Sequence, residues 1–165
     1  MEVKTPDERL KVLENLLDEY HKTVGTNTFT RSTEVDEILE LSPNDIRSMT
    51  EEECGESAYV LQRYAGYIQK ESNRNESRIK WCNRCIDIEI AERMMDYGDK
   101  YTKFDERKFR AINDKTNAYM KRLQELLMHA DIRKTEIQFL SSKVSSMANT
   151  LLEQRQIKRK TKWES

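Results

Sequence analysis

The chain has 165 residues, with 29 Lys and Arg against 30 Asp and Glu, and charged and hydrophobic residues each make up 36% of it. Its four Gly and two Pro leave few turn-forming residues, which disfavours an all-β sandwich or barrel. No apolar run approaches the roughly 18 residues of a membrane span, the acidic start is unlike a signal peptide, and three Cys without a paired framework favour a reduced, cytoplasmic protein with no membrane partner.

The near-zero net charge conceals an uneven distribution. Residues 1–56 carry 6 basic and 15 acidic side chains, whereas residues 57–165 carry 23 basic and 15 acidic ones. A basic body indicates a polyanionic partner. Long solvated helices also need many charges of both signs, so both interpretations stay open at this point.

The first predicted element is an amphipathic helix. Thr5-Pro6-Asp7-Glu8 is typical of a capping box with proline at the first helical position, and Gly25 is expected to end the helix. Its apolar stripe comprises Leu10, Leu13, Leu17, Tyr20 and Val24. With the polar segment that follows, residues 1–33 are predicted to be an acidic arm and linker, and residues 34–165 a helical body with a basic tail. The stripe must pack on the body or on another chain, and the linker slightly favours another chain.

The body is predicted to begin with short helices and then one long helix. Glu34 to Leu41 and the segment after Ser42-Pro43 read as short helices, and Thr50-Glu51-Glu52-Glu53 is a capping box that opens a helix to about Tyr97. The apolar seam of this helix comprises Ala58, Leu61, Ala65, Ile68, Ile79, Cys82 and Ile86, with a neighbouring row of Tyr64, Tyr67, Trp81, Cys85 and Ile88.

A second long helix is predicted from Asp105 to about Gln156, because the seam positions from Ile112 to Leu151 alternate in steps of 4 and 3, interrupted by the polar Thr116 and Arg133. The fold class is therefore all-α: two long antiparallel helices in a coiled-coil-like hairpin, preceded by short helices. Arg133 interrupts the seam and either sets register or, as favoured here, extends to the edge of the bundle. The rest of the seam is expected to pair between subunits of a homo-oligomer, through Tyr119, Leu123, Leu126, Ile137, Leu140, Val144, Met147 and Leu151.

Residues suited to catalysis or metal binding are sparse. Cys82 and Cys85 form a C-x-x-C inside a helix and Cys54 lies upstream, whereas zinc normally takes two spaced pairs of ligands. Three small core thiols are the favoured interpretation. Since the chain carries none of the nucleophile-elbow, phosphate-loop or H-E-x-x-H motifs, we expect a protein that is not an enzyme and has no cofactor or metal.

The arrangement of the basic side chains, by contrast, indicates a binding function. Lys70, Arg74 and Arg78 follow one another at helical spacing, and the chain ends in a dense basic cluster. The candidate DNA-binding residues are Lys70, Arg74, Arg78, Lys80, Arg84, Arg93, Arg107, Lys108, Arg110, Lys158, Arg159 and Lys160. The aromatic residues interleaved with them are Tyr64, Tyr67, Trp81, Tyr97 and Tyr101. Cations for phosphates and rings for unstacked bases are what single-stranded nucleic acid requires.

Three stretches resemble the UvsY family of phage recombination mediators: Glu56-Ser-Ala-Tyr-Val-Leu-Gln-Arg-Tyr-Ala-Gly-Tyr-Ile-Gln-Lys70, Ile88-Glu-Ile-Ala-Glu-Arg-Met-Met-Asp-Tyr-Gly98, and the helix from His129 to Leu152. The similarity covers about residues 56–160 and lies in helix pattern and scattered residues. The family's basic motif, Leu-Lys-Ala-Arg, falls on Ile90-Ala91-Glu92-Arg93, where only the arginine is kept. A DNA contact at this position therefore depends on compensation by Arg84, Lys100 or Lys103.

The resemblance implies small helical subunits that assemble into rings, bind single-stranded DNA and help load a RecA-type recombinase onto DNA covered by single-strand DNA-binding protein. A phage-encoded protein of this kind acts in the cytoplasm of the bacterial host. The alternative is a structural or scaffolding coiled-coil protein, such as a phage assembly factor, whose charges only keep it in solution. Salt-dependent DNA binding distinguishes the two.

Overall fold

The computed structural model describes residues 4–24, 32–98 and 103–164, with side chains described to residue 162. Within these ranges the chain forms α-helices and no strand, which confirms the all-α prediction with two long helices packed against each other. The helices are α1 Pro6–Val24, α2 Thr33–Leu39, α3 Pro43–Ser48, α4 Glu51–Asp96, α5 Phe104–Ile112 and α6 Ala118–Glu164. Most of the predicted linker at 25–33 lies outside the described residues.

The predicted helix starts are confirmed by their capping geometry. The Thr5 backbone N–H donates to Glu8 Oε2 at 2.8 Å, and the Glu8 N–H donates to Thr5 Oγ1 at 3.3 Å. The same reciprocal bonds join Ser42 with Asp45 and Thr50 with Glu53. Each box satisfies backbone donors that have no partner within the helix, so three of the chain's helices begin where local chemistry requires.

The prediction of one continuous helix from 105 to 156 is wrong. The helix is interrupted between α5, which ends at Ile112, and α6, which begins at Ala118. Asp114 Oδ1 accepts hydrogen bonds from the Thr116 backbone N at 2.9 Å and from Thr116 Oγ1 at 2.6 Å, and Asn117 Oδ1 accepts from the Met120 N–H at 3.0 Å. The two bonds to the backbone N–H groups of Thr116 and Met120 offer an alternative to the helical ladder, and the bond from Met120 caps the next helix.

The chain folds as two compact units, and each is built from separate stretches of sequence. Unit 1 comprises the described residues of Met1–Gly25 and Asn73–Lys134, and unit 2 those of Thr26–Ser72 and Thr135–Ser165. The arm helix α1 thus belongs to the same unit as the middle of the chain. The domain boundary at residue 33 was instead predicted from the difference in composition between the segments on its two sides.

The core of unit 2 is formed where α2 and α3 meet the first half of α4 and the second half of α6. Leu61 and Leu151 are fully buried there, and Tyr64 stacks on Tyr67 with ring centroids 5.7 Å apart. The buried residues of this cluster are Val35, Ile38, Leu39, Ile46, Cys54, Ala58, Leu61, Tyr64, Ile68, Val144, Ala148 and Leu151. The predicted seams of both long helices therefore meet within one chain.

The core of unit 1 is smaller. Ile90, Ala111 and Met120 are buried together, and Leu123 is fully buried as well. The buried Asn75 side chain donates to the Ala130 carbonyl at 2.7 Å, which ties α4 to α6. A hydrogen bond at a buried position favours one register of a helix pair over others.

Helix α1 packs in unit 1 of its own chain, whereas the sequence slightly favoured docking on another chain. Leu10, Leu13 and Leu17 are half-buried, whereas Tyr20 and Val24 at the end of the same stripe are 62% and 53% exposed. The first part of the stripe is thus covered within the chain, and acids along one side of α1 also pair with the long helices, as described next.

Candidate nucleic-acid interface

Two of the predicted DNA-binding arginines pair with α1. Arg74 contacts Asp18 at 3.0 Å between Nη1 and Oδ1, and Arg78 contacts Glu14. The Arg74 and Arg78 side chains are only 20% and 19% exposed. Their spacing of four residues places both on one face of α4, as predicted, but that face carries acids of α1 in the structure.

The pairing continues on α6. Arg122 donates from Nε and Nη2 to the two carboxylate oxygens of Asp7, at 2.9 and 2.7 Å, and also contacts Glu125 at 3.0 Å. The Arg122 hydrogen bond holds the pKa of the Asp7 carboxyl below its usual value, and the Asp7 bond in turn raises the pKa of the Arg122 guanidinium. Such two-pronged contacts are the geometry with which Arg binds carboxylate and phosphate. Sequence reasoning did not single out Arg122 as part of this face.

The remaining candidates on α4 differ in exposure. Lys80 and Arg84 are exposed. Arg93, the residue kept from the family motif, contacts Glu89 at 3.3 Å and Asp96 at 3.8 Å, so its charge is partly balanced by its own helix. The other members of the predicted set on α4 are Lys70, half-buried in unit 2, and the paired Arg74 and Arg78.

Helix α5 presents cations and aromatic rings together. Phe104 and Phe109 are 66% and 63% exposed, and Lys108 and Arg110 are exposed beside them. Arg107 instead donates from Nη2 to the Gly98 carbonyl at 3.2 Å and is half-buried. The rings predicted from the sequence to stack on bases were all Tyr or Trp, so the two phenylalanines were not among them. In the sequence, Phe104 and Phe109 are apolar positions outside the heptad seam, and this is the pattern that could have indicated them.

The basic end of α6 lies against the start of α4 in unit 2. Lys158 Nζ donates to the Arg47 carbonyl at 2.8 Å, and Arg159 pairs with Glu51. The Arg159 hydrogen bond is the main reason that the pKa of Glu51 is lowered. The Arg155 guanidinium packs over Gly55, where a Cβ would lie only 2.9 Å from Arg155 Cζ. Lys160 and Lys162 are exposed.

Most of the aromatic residues expected to stack on bases are used inside the protein. Tyr64 is buried, Tyr67 stacks on it, and the Tyr97 hydroxyl donates to Asp114 Oδ2 at 3.1 Å. Trp81 is half-buried, and Tyr101 lies outside the described residues. A different ring is available in unit 2: Tyr59 is 61% exposed, and the Arg63 guanidinium lies 5.9 Å from its centroid.

The residues predicted to join subunits are largely occupied within the chain. Leu123, Val144 and Leu151 are buried, Ile137, Leu140 and Met147 pack partly buried on the core of unit 2, and Leu126 is half-buried. The Tyr119 hydroxyl accepts from Arg9 Nη1 at 2.6 Å in unit 1. Assembly through this seam stays a prediction, whereas its use in the intramolecular hairpin is observed. Arg133 is exposed, which fits an arginine at the edge of the bundle.

The three cysteines are free and buried, in agreement with core thiols. Burial is the main cause that raises the pKa of each thiol, for Cys82 to about 11. Within the described ranges, no group of three or more His, Cys, Asp or Glu side chains is arranged to hold a metal ion. In the same part of the chain, no helix combines the length and the apolar character needed to cross a membrane.

The exposed cations of these surfaces can attract anions. Comparison with protein-family models, with curated proteins and with solved structures finds no match to this chain.

Proposed function

We propose that this chain is a non-enzymatic protein that binds single-stranded nucleic acid. The observation that carries the proposal is the coincidence, on α5, of exposed aromatic rings and exposed cations. Base–aromatic stacking and phosphate neutralisation are the two contributions that single-strand binding proteins combine.

The arrangement on α5 suits this role physically. Phe104 and Lys108 are four residues apart and therefore neighbours on the helix surface, whereas Phe109 and Arg110 point to other sides of the same short helix. An exposed ring gains little from the fold, because it stays in contact with water, but it gains stacking energy when a base covers it. The acids of the first turn, Asp105 and Glu106, suit the positive end of the helix dipole.

The basic end of α6 adds a second anion-attracting segment in unit 2. Arg155, Lys158, Arg159, Lys160 and Lys162 lie within eight residues that include no acid. Glu51 pairs with Arg159 and, at 3.9 Å, with Arg155, so it balances only part of this charge. Such a segment attracts any polyanion and contributes a strongly salt-dependent share of affinity.

The finer proposal rests on the resemblance to the UvsY family. In this proposal the chain binds single-stranded DNA as a homo-oligomer and helps load a RecA-type recombinase onto DNA coated with single-strand DNA-binding protein, in the host cytoplasm. Exposed cations Lys80, Arg84 and Lys108 support the DNA-binding part.

Fluorescence anisotropy of a labelled single-stranded oligonucleotide, at two salt concentrations and with duplex as a control, tests the proposal. We expect salt-sensitive binding that prefers single strands, and Phe104→Ala should weaken it about tenfold, since one base–aromatic stack contributes about 1–3 kcal/mol. The matched control is Phe139→Ala, which removes a 74% exposed ring of unit 2 and should leave affinity unchanged. Absence of binding at low salt would refute the proposal, and unchanged affinity of Phe104→Ala would remove the Phe104–Lys108 pair of α5 from the interface.

One observation favours the scaffolding alternative. On α6, Met128 and Ile132 are each 53% exposed and four residues apart, which makes an apolar pair on the helix surface of unit 1. A structural coiled-coil protein would bury such a pair between chains. Light scattering of wild type and Ile132→Ser tests this: a stable oligomer that dissociates in the variant, together with no nucleic-acid binding, would establish the scaffold instead.

A further inference from the structure

We infer that α1 is an intramolecular competitor for polyanions: its carboxylates occupy the arginines of unit 1 that the phosphates of a nucleic acid would otherwise contact. The inference rests on the proposed function and deepens it, since it assigns a binding face and the element that covers it. The face consists of Arg74, Arg78 and Arg122, which pair with the acids of α1.

The acids of α1 form a regular row. Asp7, Glu14 and Asp18 stand at positions i, i+7 and i+11, which places them within a narrow angle on one side of a helix. At 1.5 Å per residue the row is about 16 Å long. A line of carboxylates over arginines reproduces the charge, the acceptor oxygens and the bidentate geometry that a phosphate backbone would present.

The covering contact is weak enough to be displaced. In the ion pairs of α1 with α4 and α6, the Asp18 and Asp7 side chains remain 44% and 51% exposed and Glu14 26%, so water and salt screen the two aspartates most. The outer side of α1 adds little packing, because Leu16 and Tyr20 are 59% and 62% exposed. A long polyanion that contacts several arginines at once can therefore replace α1, whereas a single small anion gains too little.

The arginines that face the acids of α1 are placed so that one bound anion can replace another. Arg74, Arg78 and Arg122 lie on two different helices of the same unit, and their side chains are 20%, 19% and 40% exposed while α1 is in place. The contact between α4 and α6 includes a hydrogen bond in which α1 takes no part, from the Asn75 side chain to the Ala130 carbonyl. Removal of α1 would leave a preorganised row of guanidinium groups on unit 1.

The test compares three proteins of known charge in the anisotropy assay. The first is wild type, and the second is Asp7→Asn/Glu14→Gln/Asp18→Asn. The third, Glu19→Gln/Asp87→Asn/Glu92→Gln, neutralises three exposed acids of unit 1 and so carries the same net charge as the second. If α1 is displaced in about a tenth of wild-type molecules, the second protein should bind a single-stranded oligonucleotide up to about tenfold more tightly than the third.

Amide hydrogen exchange supplies a second readout, independent of affinity. Oligonucleotide binding should accelerate exchange in α1 of the wild type, because the ligand displaces the helix. A ligand that binds elsewhere would leave α1 unchanged or protect it. Arg74→Gln with Arg78→Gln, added to the neutralised α1, should abolish the gain in affinity. Circular dichroism checks that each variant remains helical, and Asp18→Asn alone serves if the triple variant does not fold.

The outcomes separate this inference from the proposed function. Tighter binding only by the protein with neutralised α1, with faster α1 exchange in the wild type, supports the inference. Equal, salt-sensitive binding by all three proteins overturns the inference and leaves the proposed function standing, as does an equal gain in the matched control. Absence of binding by all three at low salt refutes both.

Discussion

Truncation of Leu123 to Ala separates the two roles that the α6 seam can have, within the chain or between chains. Leu123 is fully buried in unit 1 of a single chain. If its partners belong to its own chain, the loss of stability does not depend on protein concentration. If they belong to another subunit, dilution lowers the midpoint of unfolding, because association and folding are then linked.

The magnitude follows from the burial of the side chain. Leu→Ala removes about three carbon groups, and at roughly 0.8 kcal/mol per buried group the transfer contribution is about 2.4 kcal/mol. A cavity contribution brings the expected loss to about 3 kcal/mol, within the range measured for buried leucines. For a chain of this size, this corresponds to a decrease in Tm of about 6–12 °C.

The matched control is Met128→Ala on the same helix. Met128 is 53% exposed, so its truncation gives up only part of the transfer contribution, leaves no enclosed cavity and should cost less than about 1 kcal/mol. Urea unfolding followed by circular dichroism, at two protein concentrations twentyfold apart, measures both variants. A loss below 1 kcal/mol for Leu123→Ala, or a loss that appears only on dilution, would refute the assignment of this seam to the intramolecular hairpin.

Three further predictions concern caps, acid and thiols. Ser42→Ala should lower the free energy of unfolding by about 1 kcal/mol, because it removes the α3 cap, whereas the exposed Ser145→Ala should change it by less than half as much in the same urea titration; equal losses would argue against the capping box. The Asp7 pKa is lower in the folded chain than in the unfolded one, so its bond to Arg122 stabilises the fold above about pH 4 and is lost as pH falls through the folded pKa. The decrease in Tm between pH 6 and pH 3 should therefore be smaller for Asp7→Asn than for wild type, and an identical decrease would contradict this linkage. With a pKa of about 11, Cys82 is about one-thousandth thiolate at pH 8, so a thiol reagent should label it far more slowly in the folded protein than in urea, and fast labelling of the folded protein would show that the site is open.

Much of the fold could be predicted because its determinants are local. The capping boxes at Thr5, Ser42 and Thr50 involve residues three positions apart, so the sequence displays both partners of each bond. The seam residues Leu61 and Leu151 are buried as their heptad positions require. The interruption after Ile112 was not predicted, because the heptad spacing continues across it and was given more weight than the turn-forming residues Asn113, Asp114 and Asn117.

The candidate interface was less predictable, because its contacts join residues far apart in the sequence. Arg74 and Arg78 stand out by their spacing, but their partners Asp18 and Glu14 lie more than fifty residues away. No periodicity in either segment specifies that pairing. Similarly, Tyr64 reads as an available ring in the sequence and becomes a core residue only once α2 and α6 are in place.

Each unit is built from two separate stretches of the sequence, and this determines the order in which a growing chain can complete the two units. All segments of unit 1 have been synthesised by Lys134, whereas unit 2 still lacks the α6 residues Val144, Ala148 and Leu151. Until those residues emerge from the ribosome, Val35 and Leu61 have no complete core to enter. The segment from α2 to the middle of α4 is thus the part of the nascent chain that most needs protection from aggregation, although it is made long before unit 1 is finished.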